Sequence, residues 1–367
     1  MKLLKTNLSR SIKLESDNFT ICIAQKEDDP SIDSFLKNQF MEGPIKLGIQ
    51  RGTSYCDSLK IEGDESDTIL IKDSINQVKG VATISYRSGM DNHKHAYLHS
   101  LKIDNSLKKS KALFLGFKKL KEILKPNYQV YTSILSENDI AKRVLCSGRA
   151  GLPYYQYQGL LKTFFITGVK KIEYSSNQTN HLHRDEYSDL TSYWQEHLST
   201  RSLSPSINTH TLENKTGPLI LYEDKNILSV KHNGYILGTL AYRDLTQKKT
   251  WTIHDYNHWI RLTKPFINLL ANLKNNPTLP SPGPMNHILN GSFFFADNNE
   301  IALSLINKAR YLIGPKKILM LTLHEKDPFY QLLDSHFKMN LGSDLYTLSW
   351  DNTETHLNIP FVDTGSL

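Results

Sequence analysis

Apolar and polar positions alternate in short runs over the first 170 residues, and two of these runs bracket a segment of helical period. Ala96 to Ile103 (AYLHSLKI) reads as a strand with Leu98 and His99 on opposite faces and Tyr97 on the side of His99. A lysine-rich turn, Asp104 to Lys111, follows. Ala112 to Leu124 (ALFLGFKKLKEIL) then repeats apolar residues at helical spacing, and YQVYTSIL is a second strand ending at Ser136-Glu137-Asn138. Strand, turn, helix and strand in this order set a helix N-terminus beside strand ends, where free backbone amides receive anions.

The flanking chain reads as more of the same. FTICIAQ (19–25) is a strand, Pro30 opens a helix to about Phe40, and Tyr55 to Ile61 is a helical turn. Thr68–Lys72 and Gln77–Arg87 form a hairpin, a helix follows Asn138, and residues 148–166 form a loop with one or two strands. Beyond residue 168 come a helix at Leu190–Leu198, strands at Leu219–Glu223, Ile227–Val230 and Tyr235–Arg243, and a tight turn at His232-Asn233-Gly234.

Two internal similarities point to a duplication. GVATISYR (80–87) matches GTLAYR (238–243). VYTSILSENDIAKRVL (130–145) overlays ILMLTLHEKDPFYQLL (318–333), setting Leu135 on Leu323 and Glu137 on Glu325. The second half adds a helix, HWIRLTKPFINLLANL (258–273), and a proline-rich loop at 277–284. Trp259, Leu262, Phe266, Leu269, Leu270 and Leu273 recur at helical spacing, so this helix is expected to pack over the junction between halves, with Pro265 at a kink. The polar tail after Trp350 is expected to be loosely held.

Length sets two domains as the expectation: 1–168, then 169–352 with the insertion at 258–284, then a tail at 353–367. Three widely spaced cysteines make no disulfide framework or zinc pattern and point to a reducing, cytoplasmic setting. Residues 1–18 lack the continuous apolar core of a secretory leader and no run of about 18 apolar residues occurs, so neither export nor a membrane-spanning helix is expected. The net charge of +7 is mild, but eight lysines stand between Lys102 and Lys125 against Asp104 and Glu122. Phe114 and Phe117 there take apolar helix positions, which argues against nucleic-acid binding. The His181/His183 and His254/His258 pairs have no partner cluster, so no metal site is expected.

YLHSLKID, the turn and helix after it, and ENDIAKRVL resemble the GNAT superfamily of acyl-CoA N-acyltransferases. The whole chain resembles two such domains in tandem, of bacterial type, with LHEKDP (323–328) and LYTLSW (345–350) carrying the likeness in the second half. The implied fold class is α/β (α+β), each half a mixed, mostly antiparallel sheet flanked by helices. The resemblance implies acetyl-CoA, or another acyl-CoA, lodged between two splayed central strands. The main chain of Leu101, Lys102 and Ile103 would pair with the pantetheine, and the turn amides would hold the pyrophosphate. Asn138 and Ala141 match a family pattern at the end of the fifth strand. Lys109 and Lys111 replace the family's loop glycines, and Leu145 stands where a tyrosine acid is often found.

Lys108, Lys109 and Lys111 oppose the helix macrodipole by roughly 0.3–1 kcal/mol each. A bound phosphate would offset this; a solvated lysine face is the other explanation. The anion site would run from Lys108 and Lys109 through Ser110 and Lys111 to Ala112. The corresponding turn in the second half, Ala296 to Glu300, is acidic, and Asp297 with Glu300 fits a capping box. For proton transfer the candidates are His99 and Glu137 as bases and Tyr155, among Tyr154, Tyr155 and Tyr157, as the acid. Each also has an ordinary structural reading as a packed or exposed side chain. Two functions stand. One is acetyl transfer from acyl-CoA in the first half to an amine on a small molecule, peptide or protein. The other is a catalytically degenerate binding or scaffold protein that recognises an anionic ligand or partner.

Overall fold

Alternating apolar residues build strands, and helical-period segments cover them. The computed structural model describes residues 12–13, 19–41, 43, 45–52, 54–90, 93–107, 110–149, 151–171, 179–181, 186–273, 278–351 and 353–366. Strands β1 (Ile12–Lys13) and β2 (Phe19–Ile23) precede helix α1 (Asp29–Lys37), β3 (Ile45–Arg51) and the short α2 (Tyr55–Ser58). Then come β4 (Glu65–Asp73), β5 (Val78–Ser88), β6 (Lys94–Ile103), α3 (Ala112–Ile123), β7 (Gln129–Leu135), α4 (Asp139–Leu145) and β8 (Tyr154–Thr167). The chain continues through β9 (Thr179–His181), α5 (Tyr187–Ser199), β10 (Arg201–Ser202), α6 (Thr209–Asn214), β11 (Ile227–His232) and β12 (Tyr235–Arg243). Next are β13 (Lys249–Tyr256), α7 (His258–Leu273), β14 (Gly283–Pro284), β15 (Ile288–Ala296) and α8 (Asn299–Ile313). It closes with β16 (Ile318–His324), α9 (Tyr330–His336), β17 (Asn340–Ser349) and β18 (Ile359–Pro360).

Thirteen strands form one sheet in the order β1-β2-β4-β5-β6-β7-β17-β8-β16-β15-β12-β11-β9. Each half contributes one parallel pair, β6 with β7 and β15 with β16; the other neighbours are antiparallel. The last strand of each half is exchanged. β8 crosses to pair with β16, β17 crosses to pair with β7, and the two lie against each other at the centre. The halves therefore share one sheet. Among the described residues, α3 and α4 cover one face of the first half, and α1 and α2 the other. The second half repeats this with α8 and α9 on one face and α5 and α6 on the other.

From the centre outwards, β7, β6, β5 and β4 of the first half correspond to β16, β15, β12 and β11 of the second. In β6, Ser100 and Leu101 bulge opposite Ala82; in β15, Phe293 and Phe294 bulge opposite Leu240. Each bulge begins three residues past the last parallel pair. Gly80 and Gly238 coincide in this match, but the Tyr-Arg dipeptides after them do not. The overlay of residues 130–145 on 318–333 is one residue out of register. Val130 and Ile134 face the first core as Leu319 and Leu323 face the second, so Asn138 matches Asp327. A one-residue slip in a strand exchanges its two faces, which is why packing decides the register.

A second sheet, β3-β13-β14, joins the halves, with Lys249 opposite Arg51. Neither β3 nor β13 is evident in the apolar pattern. Gly48 sits in mid-strand because a Cβ there would meet the His254 ring, and a central glycine reads as a break. Leu219–Glu223 is not a strand. Gly217–Leu219 is a 3-10 turn, and Leu221 takes φ 65°. Asn298, not an Asp297–Glu300 box, caps α8 by accepting from the Ile301 amide at 3.0 Å. The tail is not loose: Leu357, Phe361, Asp363, Thr364 and Ser366 are buried. Helix α7 runs unbroken through Pro265 and does not pack over the junction, since none of its residues is buried.

Candidate active site

The site begins where β6 and β7 part. They pair only from His95–Tyr97 to Gln129–Tyr131. At the fork the Thr132 hydroxyl donates to the Leu98 carbonyl at 2.7 Å. Past it, Ser100 adopts φ 53° at the bulge it shares with Leu101. Lys102 and Ile103 pair with β5, and none of the three residues Leu101–Ile103 has a partner from β7. One strand edge is thus left for another main-chain-like group. Between α3 and the sheet lies an apolar cavity lined by Ile71, Leu98, Leu101, Ile103, Leu113 and Phe117, with Lys102 also at its wall. Burial pulls the Lys102 ammonium below its ordinary range.

The opposite face of the fork is polar. His99 Nε2 meets Ser85 Oγ at 2.8 Å and His99 Nδ1 meets Ser100 Oγ at 3.1 Å. His99 stacks on Tyr97 with ring centroids 5.1 Å apart, and Tyr97 stacks on Tyr131 at 5.0 Å. The Tyr97 hydroxyl lies 3.0 Å from Ser133 Oγ. Tyr55 Oη meets Thr83 Oγ1 at 2.7 Å and also bonds the Ser100 hydroxyl. Burial pushes the His99 pKa down to about 3, against the pull of the Glu62 carboxylate, so the ring is neutral.

Behind this ring is a buried charge network. Glu62 is fully buried, accepts from Arg51 Nη1 at 2.8 Å, and takes a second bond from Lys249 Nζ at 3.2 Å. Burial alone would raise Glu62; Arg51 and Lys249 more than offset it and hold the carboxyl at about 2. Lys249 also reaches the Gly365 carbonyl at 3.5 Å. Nearby, buried Arg243 pairs with Asp363 at 2.6 Å. Arg51 and Glu62 come from the first half, Lys249 and Arg243 from the second, Asp363 and Gly365 from the tail. Sequence reasoning missed all of these, because each side chain is an isolated charge in a long chain and Gly365 contributes only a carbonyl.

The remaining expected residues line the rim or lie elsewhere. Ser110 Oγ accepts from the Ala112 amide, the first of α3, at 3.1 Å and donates to the Leu107 carbonyl at 2.8 Å, while exposed Lys111 at the N-cap makes no side-chain capping bond. Lys108 and Lys109 lie outside the described residues. Asn138 caps α4 by accepting from the Ala141 amide at 3.1 Å. Glu137 is exposed in the turn after β7, at the same rim as the end of β6 because the strands are parallel. Among the described residues no three His, Cys, Asp or Glu side chains gather as a metal site.

Tyr155 is on the other face of the sheet from His99, in the core under α3 and α4. Its hydroxyl is buried without a hydrogen-bond partner, and burial raises its pKa. By strand register it is level with Val130, inside the closed part of the parallel pair. Tyr346 of β17 is level with Thr132, at the fork itself, and its hydroxyl contacts Cys146. Its only sequence signal is the LYTLSW segment, two hundred residues from β7.

The second fork is closed. β15 and β16 pair over Ile288–Asn290 and Ile318–Met320, then part, and the chain's own tail enters the gap. Phe361 packs against Phe293 at 5.3 Å and Phe295 at 6.4 Å, and Thr364 Oγ1 accepts from the Thr322 amide at 2.8 Å. Gln158, bulged out of β8, guides the tail there. Its Oε1 accepts from the Leu357 amide at 3.0 Å and its Nε2 donates to the Thr355 carbonyl at 2.6 Å. A Cβ on Gly159, at φ 127°, would collide with the His324 ring.

No protein-family model and no curated protein matches the chain. Solved structures do match. N-myristoyltransferase of Saccharomyces cerevisiae, with bound myristoyl-CoA, superposes with a TM-score of 0.58 at 9% identity, over 96% of this chain and 91% of that one. A GCN5-related N-acetyltransferase from Sphaerobacter thermophilus does so with a TM-score of 0.52 at 11% identity, over 96% and 99%. The chain therefore has the GNAT fold of these N-acyltransferases, as two GNAT-like halves built into one mixed sheet.

Proposed function

We propose that the protein is an acyl-CoA-dependent N-acyltransferase, a duplicated GNAT unit divided near residue 168, with one cofactor site in the first half. One observation carries this: of two matching forks, the second is filled by Phe361 and Thr364, and the first leaves the Leu101–Ile103 edge of β6 without a partner from β7. A pantetheine arm is peptide-like and would complete that edge. The α3 N-terminus, with Lys111 and the lysines before it, would receive the phosphates. The apolar cavity under α3 would take an aliphatic acyl group, acetyl or longer. Three free cysteines suit a reducing cytoplasm.

The acceptor amine would enter on the polar face. Its lone pair attacks the thioester carbon, a C–N bond forms, and the C–S bond breaks. The amine proton passes through the Ser100 hydroxyl to neutral His99, which relays a proton from its other ring nitrogen to Ser85 instead of holding the charge. The leaving thiolate takes a proton from Tyr346 at the fork, with Tyr155 and Glu137 as the competing acid and base. Glu62 is too deeply buried to touch a substrate. It would act as a positioning residue that keeps Arg51 and Lys249 beside the ring, where cations disfavour an ammonium and so favour the neutral amine.

Isothermal titration with acyl-CoA esters of increasing chain length tests the reading, with one site per chain expected. Hydrogen exchange on the same samples should show new protection at Leu101–Ile103 and none at Phe293–Ala296. No heat and no thermal shift at millimolar CoA would refute it. A second reading, a binding protein without turnover, is favoured by exposed Lys111 at the place of the family's loop glycines. Acyl transfer to any amine excludes that reading.

A further inference from the structure

Helix α7 is amphipathic in the reverse sense. At about 100° per residue, Trp259, Leu262, Phe266, Leu269, Leu270 and Leu273 fall within one arc of roughly 100°. That arc faces outward: Trp259 is 75% exposed, Phe266 63% and Leu273 72%. The opposite side holds the helix to the protein by polar bonds. Asn268 Oδ1 accepts from the Leu279 amide at 2.7 Å and its Nδ2 donates to the Leu279 carbonyl at 3.1 Å. Lys264 Nζ donates to the Pro280 carbonyl at 2.6 Å and lies over the Tyr256 ring at 4.7 Å.

A soluble helix normally turns its apolar stripe inward, and six contiguous large apolar side chains in water mark an interaction surface. Charge around the helix selects the partner. From Tyr256 to Ala296, forty-one residues in succession, the sequence contains no Asp or Glu, while it carries Arg261, Lys264 and Lys274. Asp255, at the border of this stretch, is neutralised by Arg261 at 2.6 Å. An apolar face bearing Trp, Phe and Leu, on a stretch that keeps a net charge of +2 after Asp255 cancels one of Arg261, Lys264 and Lys274 and that has no further acid to repel headgroups, matches the physics of helices that lie in the plane of a bilayer interface. The 16-residue helix would lie along about 24 Å of that surface.

We infer that α7 docks this protein peripherally on an anionic lipid surface, with Trp259, Leu262, Phe266 and Leu273 entering the headgroup–acyl boundary and the polar face keeping the rest of the protein outside it. The inference stands independently of the acyltransferase reading. The experiment is co-sedimentation of the full chain with vesicles of phosphatidylcholine alone and of phosphatidylcholine with phosphatidylserine. Binding to the anionic vesicles is expected, at least tenfold weaker in the double variant Leu262→Gln, Phe266→Gln, whose melting temperature should equal or exceed that of the parent. The blue shift of tryptophan emission on adding anionic vesicles should be lost in Trp259→Phe. A parent protein that stays in the supernatant overturns the inference, as does binding the double variant retains. So does a parent dimer in analytical ultracentrifugation that the double variant abolishes, because a second copy then covers the face.

Discussion

Ser100 and Phe293 occupy the same station in two bulged strands, with φ of 53° and 50°. A left-handed conformation costs a non-glycine residue about 1–2 kcal/mol, yet both forks keep it, three residues beyond the last parallel pair. The bulge holds His99 towards the polar face while Leu101 turns to the core under α3. Ser100→Gly should therefore preserve acyl-CoA binding and leave stability within about 1 kcal/mol of the parent. Ser100→Val, β-branched at positive φ, should lose about 1–3 kcal/mol in urea melts and bind acyl-CoA more weakly. Equal behaviour of the two variants would show that the bulge conformation is not needed.

Glu62 ties the halves together, because its two cations come from β3 and β13. Glu62→Gln removes the one carboxylate that bonds both Arg51 and Lys249 and leaves two buried cations beside each other. The expected loss is on the order of 3–5 kcal/mol, measured as a shift in the urea midpoint. Lys249→Met should cost less, since the Arg51–Glu62 bond survives and methionine fills the stem's volume. A Glu62→Gln variant as stable as the parent would mean the network contributes nothing net.

Acid should weaken the fold before its carboxylates titrate. Burial lowers His99 from 6.5 to about 3 and His95 from 6.5 to about 4. Between those values and 6.5 the unfolded chain binds more protons than the native one, so stability rises with pH there. It is complete above about 6.5 and falls as pH drops towards 4. At pH 5 the loss should be on the order of 1–2 kcal/mol for each ring. Urea midpoints at pH 7.5 and pH 5 measure it, and His99→Gln should flatten part of the difference. Glu62 adds a further loss only below its ordinary 4.5, towards about 2.

Two tyrosines compete for the thiolate. Tyr346 is level with the fork and Tyr155 two residues away along the closed ladder. Tyr346→Phe should lower kcat by roughly 10²–10⁴-fold with KM for acyl-CoA little changed, the size expected of a lost general acid. Tyr155→Phe removes a buried hydroxyl that has no partner, so it should be neutral or mildly stabilising and leave kcat within a few-fold. The reverse pattern would assign the acid to Tyr155.

The β6–α3–β7 stretch is readable because its periods are local: strand alternation, a helical repeat and a turn within fifty residues. The face of His99 emerges from that alternation, whereas the Leu101–Ile103 edge comes from the family resemblance and not from the pattern. The charge network does not, since Arg51, Glu62, Lys249 and Asp363 meet only through contacts between distant segments. Strand exchange hides in the same way, because β8 and β17 have ordinary alternation whichever strand they pair with. The outward face of α7 shows the limit most directly. Periodicity reports that an apolar stripe exists, not whether the protein itself covers it.

The tail is the feature that makes the two forks unequal, and it can be removed in steps. Phe361 is buried against Phe293 and Phe295, so Phe361→Ala should cost about 3–5 kcal/mol. Asp363→Asn leaves fully buried Arg243 without its carboxylate and should cost a similar amount, again roughly 3–5 kcal/mol. Both are read from urea midpoints at pH 7.5. If the tail fills the second fork, hydrogen exchange in Phe361→Ala should speed up at Ser292–Ala296 and Leu321–His324 and stay unchanged at Leu98–Ile103. Acyl-CoA should still bind at one site per chain, because opening the second fork supplies neither the cationic turn nor the His99 face. Tighter acyl-CoA binding in this variant, with new protection at Ser292–Ala296 and none at Leu101–Ile103, would instead place the cofactor in the second half and reverse the assignment of the two forks.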